Sequence, residues 1–94
     1  MYSIILTPRF KRSYKRFVRN YPYLQNNIDY AINKLSENPF APLLNSHKLS
    51  GDLYELYACK CGYVCRIIFS IEKSTNNDSA SVILVDIGTH QDVY

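Results

Sequence analysis

Apolar residues recur along the chain with two periods, and each change of period marks an element. Residues 2–6 open with a short apolar run that predicts a strand. Thr7-Pro8 then supplies an N-cap side chain and a proline at the first helical position, where its missing N–H is no loss. Phe10, Tyr14, Phe17 and Val18 follow at i, i+4, i+7 and i+8, the seam of an amphipathic helix that should end near Asn20. Pro22 restarts the chain, and Leu24, Ile28, Ala31 and Leu35 keep helical spacing until Asn38-Pro39 closes a second helix. Tyr30 and Ile32 widen its apolar side. The tight turn between the two predicts a helical hairpin.

The period then falls to two. Residues 40–46 form an irregular connection containing Pro42, and His47-Lys48-Leu49-Ser50-Gly51-Asp52 has the composition of a turn. In residues 53–59, Leu53, Glu55, Tyr57 and Cys59 alternate with Tyr54, Leu56 and Ala58, which is strand spacing. A turn around Cys61-Gly62 leads into a partner strand over 63–71. A polar loop over 73–79 then leads into a closing strand over 80–87. The run 81–87 (SVILVDI) is β-branched and apolar enough to read as buried on both faces. The expected fold is α+β in the order β-α-α-β-β-β. An N-terminal helical hairpin packs on one face of a twisted antiparallel sheet, as one domain over residues 1–94.

Charge changes this picture more than composition does. Apolar residues at 47% and charged ones at 20% are ordinary for a folded protein and exclude a disordered chain. The net charge of +3 is small but uneven. Arg9, Lys11, Arg12, Lys15, Arg16 and Arg19 crowd the first helix, and residues 1–20 hold no acid. Such a field favours a polyanion or an acidic protein partner, although a solvated helix face has the same composition. No apolar run approaches the roughly 20 residues of a membrane span, and none of signal-peptide length opens the sequence. The three cysteines, Cys59, Cys61 and Cys65, are odd in number and lack zinc-site spacing. They read as reduced strand cysteines in a cytoplasmic protein, with no metal and no small-molecule cofactor expected.

Candidate chemistry gathers at the strand ends. His90 follows Gly88 just past the closing strand, and histidine exchanges protons near neutral pH. His47 precedes the second predicted strand; either histidine is equally readable as a surface residue. Arg66 interrupts the apolar run Val64-Cys65-Arg66-Ile67-Ile68-Phe69. A charge there needs solvent or an anion, and it could meet a phosphate from the open face or pair with Asp86 or Glu55. Tyr54, Tyr57 and Tyr63, with Lys60 among them, suit stacking bases and pairing phosphates, though tyrosine is also an ordinary strand residue. Lys48, Arg12 and Arg16 are the other cations assigned to RNA. No Gly-rich phosphate loop, paired catalytic carboxylates or nucleophile elbow is present. Proton transfer and phosphate stabilisation are the chemistry on offer. RNA cleavage needs little more, because the ribose 2′-OH is its own nucleophile.

His47-Lys48-Leu49-Ser50-Gly51 ahead of a strand, then Tyr63-Val64-Cys65-Arg66-Ile67-Ile68-Phe69, then Asp86-Ile87-Gly88-Thr89-His90-Gln91-Asp92-Val93-Tyr94, together resemble the RelE/ParE toxin superfamily, nearest its RelE/YafQ branch. The resemblance covers nearly the whole chain. It implies the toxin of a type II toxin–antitoxin pair, a metal-independent endoribonuclease cutting mRNA on the ribosome, with a cognate antitoxin as partner. His90 then looks like the family's general acid or base, and His47 like the histidine opening its H-x-L-x-G segment. Arg66 resembles the strand arginine used on the transition-state phosphate, and Tyr94 the tyrosine near the chain end. YafQ-like members carry a further His and Asp in the hairpin region, residues 59–64 here. A ParE-like DNA gyrase inhibitor acting by binding, or a non-catalytic antitoxin-binding relative, would share the same fold.

Overall fold

The computed structural model describes residues 1–49, 55–73 and 79–93, with residues 92 and 93 described by their backbone alone. Strand β1 (Ser3–Leu6) runs into helix α1 (Pro8–Asn20). The Thr7 side chain caps α1, its Oγ1 accepting from Phe10 N–H at 3.1 Å while its hydroxyl donates to the Leu84 carbonyl at 2.8 Å. One residue thus stops the strand, starts the helix and ties both to the far end of the chain. A single 3₁₀ turn (Pro22–Leu24) joins α1 to α2 (Gln25–Glu37), and a second (Pro42–Leu44) crosses the irregular connection. Strands β2 (His47–Lys48), β3 (Tyr57–Lys60), β4 (Cys65–Lys73) and β5 (Ala80–Thr89) follow, and α3 (His90–Val93) leaves the end of β5.

The strands form one sheet in the order β1-β5-β4-β3-β2. The predicted α+β layering holds, and the structure adds two particulars. β1 pairs with β5 in parallel, so the sheet is mixed, and residues 47–48 are a short edge strand paired with β3 rather than part of a turn. Hydrophobic patterning reports element type and buried face but not pairing direction. The remaining predicted turn, Ser50-Gly51-Asp52, lies outside the described residues, as do Leu53, Tyr54 and most of the 73–79 loop.

One face of the sheet carries the core. Phe10 and Phe17 from α1, with Ile28, Ala31 and Leu35 from α2, pack on Cys59, Cys65, Ile67, Phe69, Val82, Leu84 and Ile87. β5 is not buried on both faces as expected. Val82 and Leu84 are buried while Ile83 and Val85 are half-buried, because the helices cover one side only. Pairing slips by one residue between Ile68/Phe69 and Asp86/Leu84. This bulge leaves Val85 unmatched and shifts the alternation, so that Ile87 returns to the core.

The cysteines also depart from expectation. Cys61 and Cys65 form a disulfide across the β3–β4 turn, and Cys59 remains a free, buried thiol. Spacing placed all three on strands, but Cys61 ends the ladder at the turn, where its N–H donates to the Cys65 carbonyl at 3.1 Å. That closure brings the two sulfurs together. Gly62 makes the turn with φ +98°, a conformation glycine adopts without a Cβ penalty.

Candidate functional site

The β3–β4 hairpin tip and the end of β5 form one corner of the sheet. Residues directly opposite in an antiparallel pair share a face. Lys60 is opposite Arg66, and Arg66 is opposite Gly88, so the three make a row across β3, β4 and β5 on the face away from the helices. Two cations set directly opposite are unfavourable without an anion between them. The Arg66 guanidinium folds toward the turn. Its Nη1 donates to the carbonyls of Cys65 (2.8 Å), Tyr63 (3.1 Å) and Gly62 (3.4 Å). Guanidinium carries five donors in a rigid fork, so anchoring one nitrogen this way orients the others. The structural partners proposed from sequence are otherwise occupied: Asp86 pairs with Arg9 at 3.0 Å and Glu55 with Lys48 at 3.6 Å.

The row below consists of His47, Ala58, Ile68 and Asp86 in register. Ala58 is 0% exposed and Ile68 5%, although neither belongs to the helix-packed cluster. The middle of this face is therefore not bare; in the neighbouring row Lys60 is exposed, Arg66 half-buried and Gly88 buried. His47 stands two strands and one row from Arg66, about 12 Å by sheet spacing. The two belong to one face but not to one hydrogen-bonded cluster. Thr89 is opposite Cys65, and His90 opens α3 immediately beyond it, exposed and at the same corner as Arg66.

The other assigned residues separate. Tyr63 sits at the hairpin tip, 94% exposed. Tyr57 is opposite Phe69 on the helix-covered face, its ring stacked on Phe69 at 5.6 Å and met edge-on by Phe40 at 5.3 Å. Its ring is a core contact rather than a platform on the open face. Lys48 is opposite Tyr57 and so points away from His47's side. Arg12 lies exposed on α1, whereas Arg16 lines a cleft between α1 and the end of β5. Tyr94 lies outside the described residues. Sequence reading missed the Arg9–Asp86 pair and the turn carbonyls that hold Arg66. Neither has a local signal, since one depends on strand register and the other on turn geometry.

Burial pushes the Cys59 thiol up to about 12, only partly opposed by a hydrogen bond from the Ile67 backbone and by nearby Arg66, so at neutral pH it is protonated and chemically quiet. Among the described residues no group of three or more His, Cys, Asp or Glu side chains is placed to hold a metal ion. No described helix is long and apolar enough to cross a membrane.

No family model and no curated protein matches the sequence. Solved structures do match. A YoeB/ParE toxin from Agrobacterium tumefaciens superposes with a TM-score of 0.74 at 17% identity, over 94% of this chain and 98% of its own. A structure of the Escherichia coli DinJ–YafQ toxin–antitoxin complex gives 0.73 at 16% identity, over 99% and 97%. A metal-bound toxin from Helicobacter pylori gives 0.67 at 22% identity, over the full length of both chains. The fold is that of the RelE/YafQ-like toxins.

Proposed function

We propose that this chain is the toxin of a type II toxin–antitoxin pair and that it cuts mRNA on the ribosome in the cytoplasm. The observation that carries this reading is the Lys60–Arg66–Gly88 row beside Thr89 and His90. It sets two opposed cations next to a titratable imidazole, an arrangement suited to a phosphodiester. The 2′-oxygen attacks the adjacent phosphorus as its proton is taken by a general base, and the bond to the 5′-oxygen breaks as that oxygen receives a proton. The products are a 2′,3′-cyclic phosphate and a 5′-hydroxyl. Arg66, with Lys60, faces the extra negative charge of the phosphorane. His90 exchanges one of the two protons, and the resemblance assigns Tyr94 a supporting place near it. No step in this route calls on a metal or a cofactor. His47, about 12 Å from Arg66, fits the flanking nucleotide better than the reacting phosphate.

A cognate antitoxin is the expected partner. Support comes from the DinJ–YafQ complex among the fold's neighbours and from the acid-free, six-cation first helix, which suits an acidic or amphipathic segment. The deciding experiment maps cleavage of a defined mRNA on programmed ribosomes by primer extension, with wild type and His90→Ala compared. Loss of roughly two to four orders of magnitude in the variant is expected for a proton shuttle. Unchanged cleavage would remove His90 from the mechanism. An absence of any cut by folded protein would favour a ParE-like inhibitor, next tested by DNA supercoiling.

A further inference from the structure

The packing of α1 on β5 is not continuous. Phe10 and Phe17 seal against the core, but Arg9, Ser13, Arg16 and Asn20, at i, i+4, i+7 and i+11, bring a polar stripe over the end of the strand. Between this stripe and Asp86 and Gly88 lies a cleft of about 460 Å³. Ser13, 6% exposed and the one buried polar residue among those described, lines it, and no fully buried side-chain nitrogen or oxygen among the described residues lacks a partner. The Ser13 hydroxyl adds a neutral hydrogen-bonding group to the cationic wall of the cleft.

Charge identifies the kind of occupant. The Asp86 carboxylate is already engaged on both oxygens, by Arg9 at 3.0 Å and by the Ile87 N–H at 2.9 Å. Arg9 and Asp86 offset each other, whereas Arg16 has no carboxylate partner among the described residues. The cleft is thus left with one positive charge, a hydroxyl and an amide. We infer that it is a phosphate subsite, holding a backbone phosphate of an RNA strand that continues over Gly88 toward Arg66 and His90. This rests on the ribonuclease reading for the identity of the ligand, but not for the existence of an anion site. Gly88 borders the cleft and is also opposite Arg66, so a strand seated here is delivered to the reacting row by one residue of β5.

The test measures binding of inorganic phosphate and of a non-cleavable 2′-O-methyl tetranucleotide to wild type, Arg16→Ala, Ser13→Ala and Arg19→Ala, with circular dichroism as the folding check. Arg19 is on the same helix but outside the cleft, and its loss changes net charge equally. Arg16→Ala should weaken the oligonucleotide at least tenfold and lower its salt slope by about 0.7, the value of one single-strand phosphate contact. Ser13→Ala should weaken it by severalfold and Arg19→Ala by less than twofold. Equal losses at Arg16 and Arg19 would reduce the site to a general field and overturn it. Inorganic phosphate that binds through Arg16 without competing with the oligonucleotide would overturn the RNA assignment. Binding that depends on Arg16 while ribosomal cleavage is absent would leave the subsite standing and remove only the catalytic reading.

Discussion

Reducing the Cys61–Cys65 bond should destabilise the protein by an amount the loop itself sets. The bond closes a loop of sequence separation 4, and the chain-entropy relation gives about 2 kcal/mol at 25 °C for a loop that short. The native side contributes little to offset this. Both cysteines are buried in the core cluster, where thiols pack as small hydrophobes. The Cys61 N–H to Cys65 carbonyl bond remains. The reduced protein therefore stays folded but melts lower, by about 8–16 °C for a domain of this size. Thermal melts with and without reductant measure the shift. Thiol titration in denaturant should find one thiol without reductant, Cys59, and three with it. A Cys61→Ser/Cys65→Ser double variant should match the reduced protein and be indifferent to reductant. If never-reduced protein titrates three thiols, or if the melt ignores reductant while one thiol titrates, the reasoning fails.

Thr7→Ala removes the α1 cap and the bond to Leu84 together, and should cost about 1–2 kcal/mol by urea denaturation; a cost below 0.3 would contradict the cap's role. Gly62→Ala places a Cβ 2.9 Å from Asn27 Nδ2 at φ +98°, with an expected loss of about 1–3 kcal/mol. Because the Asn27 amide can swing aside, most of that loss should persist in an Asn27→Ala background, and its disappearance there would assign it to the clash instead. Cys59 gives a pH dependence. Its folded pKa of about 12 lies above the ordinary value of 9.0, so its contribution is complete below pH 9 and declines as pH rises toward 12, by up to about 1.4 kcal/mol per unit. Urea melts at pH 8 and pH 10 should therefore diverge more in wild type than in Cys59→Ala, and equal divergence would show that the thiol does not carry the effect.

The parts of the fold visible in the sequence were those with a local cause. Thr7-Pro8 fixed the start of α1 through a cap and a preset φ, and Asn38-Pro39 marked the end of α2, whose last helical residue is Glu37. The period-two pattern located β3, which begins at Tyr57, with Glu55 and Leu56 lying before it. What stayed hidden was non-local. Nothing in residues 3–6 reports that their partner is 81–84, nor that the pairing is parallel. The two residues of β2 are too few to show a period at all. The bulge at Val85 was masked for a related reason: an unbroken β-branched run reads as a strand buried on both sides, when it is a one-sided strand whose alternation slips once.

The candidate site divides in the same way. Arg66 was conspicuous because a charge inside an apolar run demands a partner, and the demand was real, but neither carboxylate considered for it meets it. The guanidinium is answered by three carbonyls of its own turn, while a second cation, Lys60, stands opposite it. Tyr57 shows the converse, an aromatic assigned to bases by its neighbours in sequence and claimed instead by Phe69 across the ladder. Strand parity decides both cases. Lys60 and Arg66 share the face that His47 and Ala58 share, while Tyr57 and Lys48 fall on the other. Once the register is known, the six candidates on or beside the sheet resolve into the Lys60–Arg66 row with His90 beside it, a distant edge histidine, a core tyrosine and an exposed lysine paired with Glu55. Among the described residues the Lys60–Arg66 row sets two positive charges, neither in a described ion pair, beside the exposed His90, which is why the functional reading rests there rather than on the aromatic-rich hairpin as a whole.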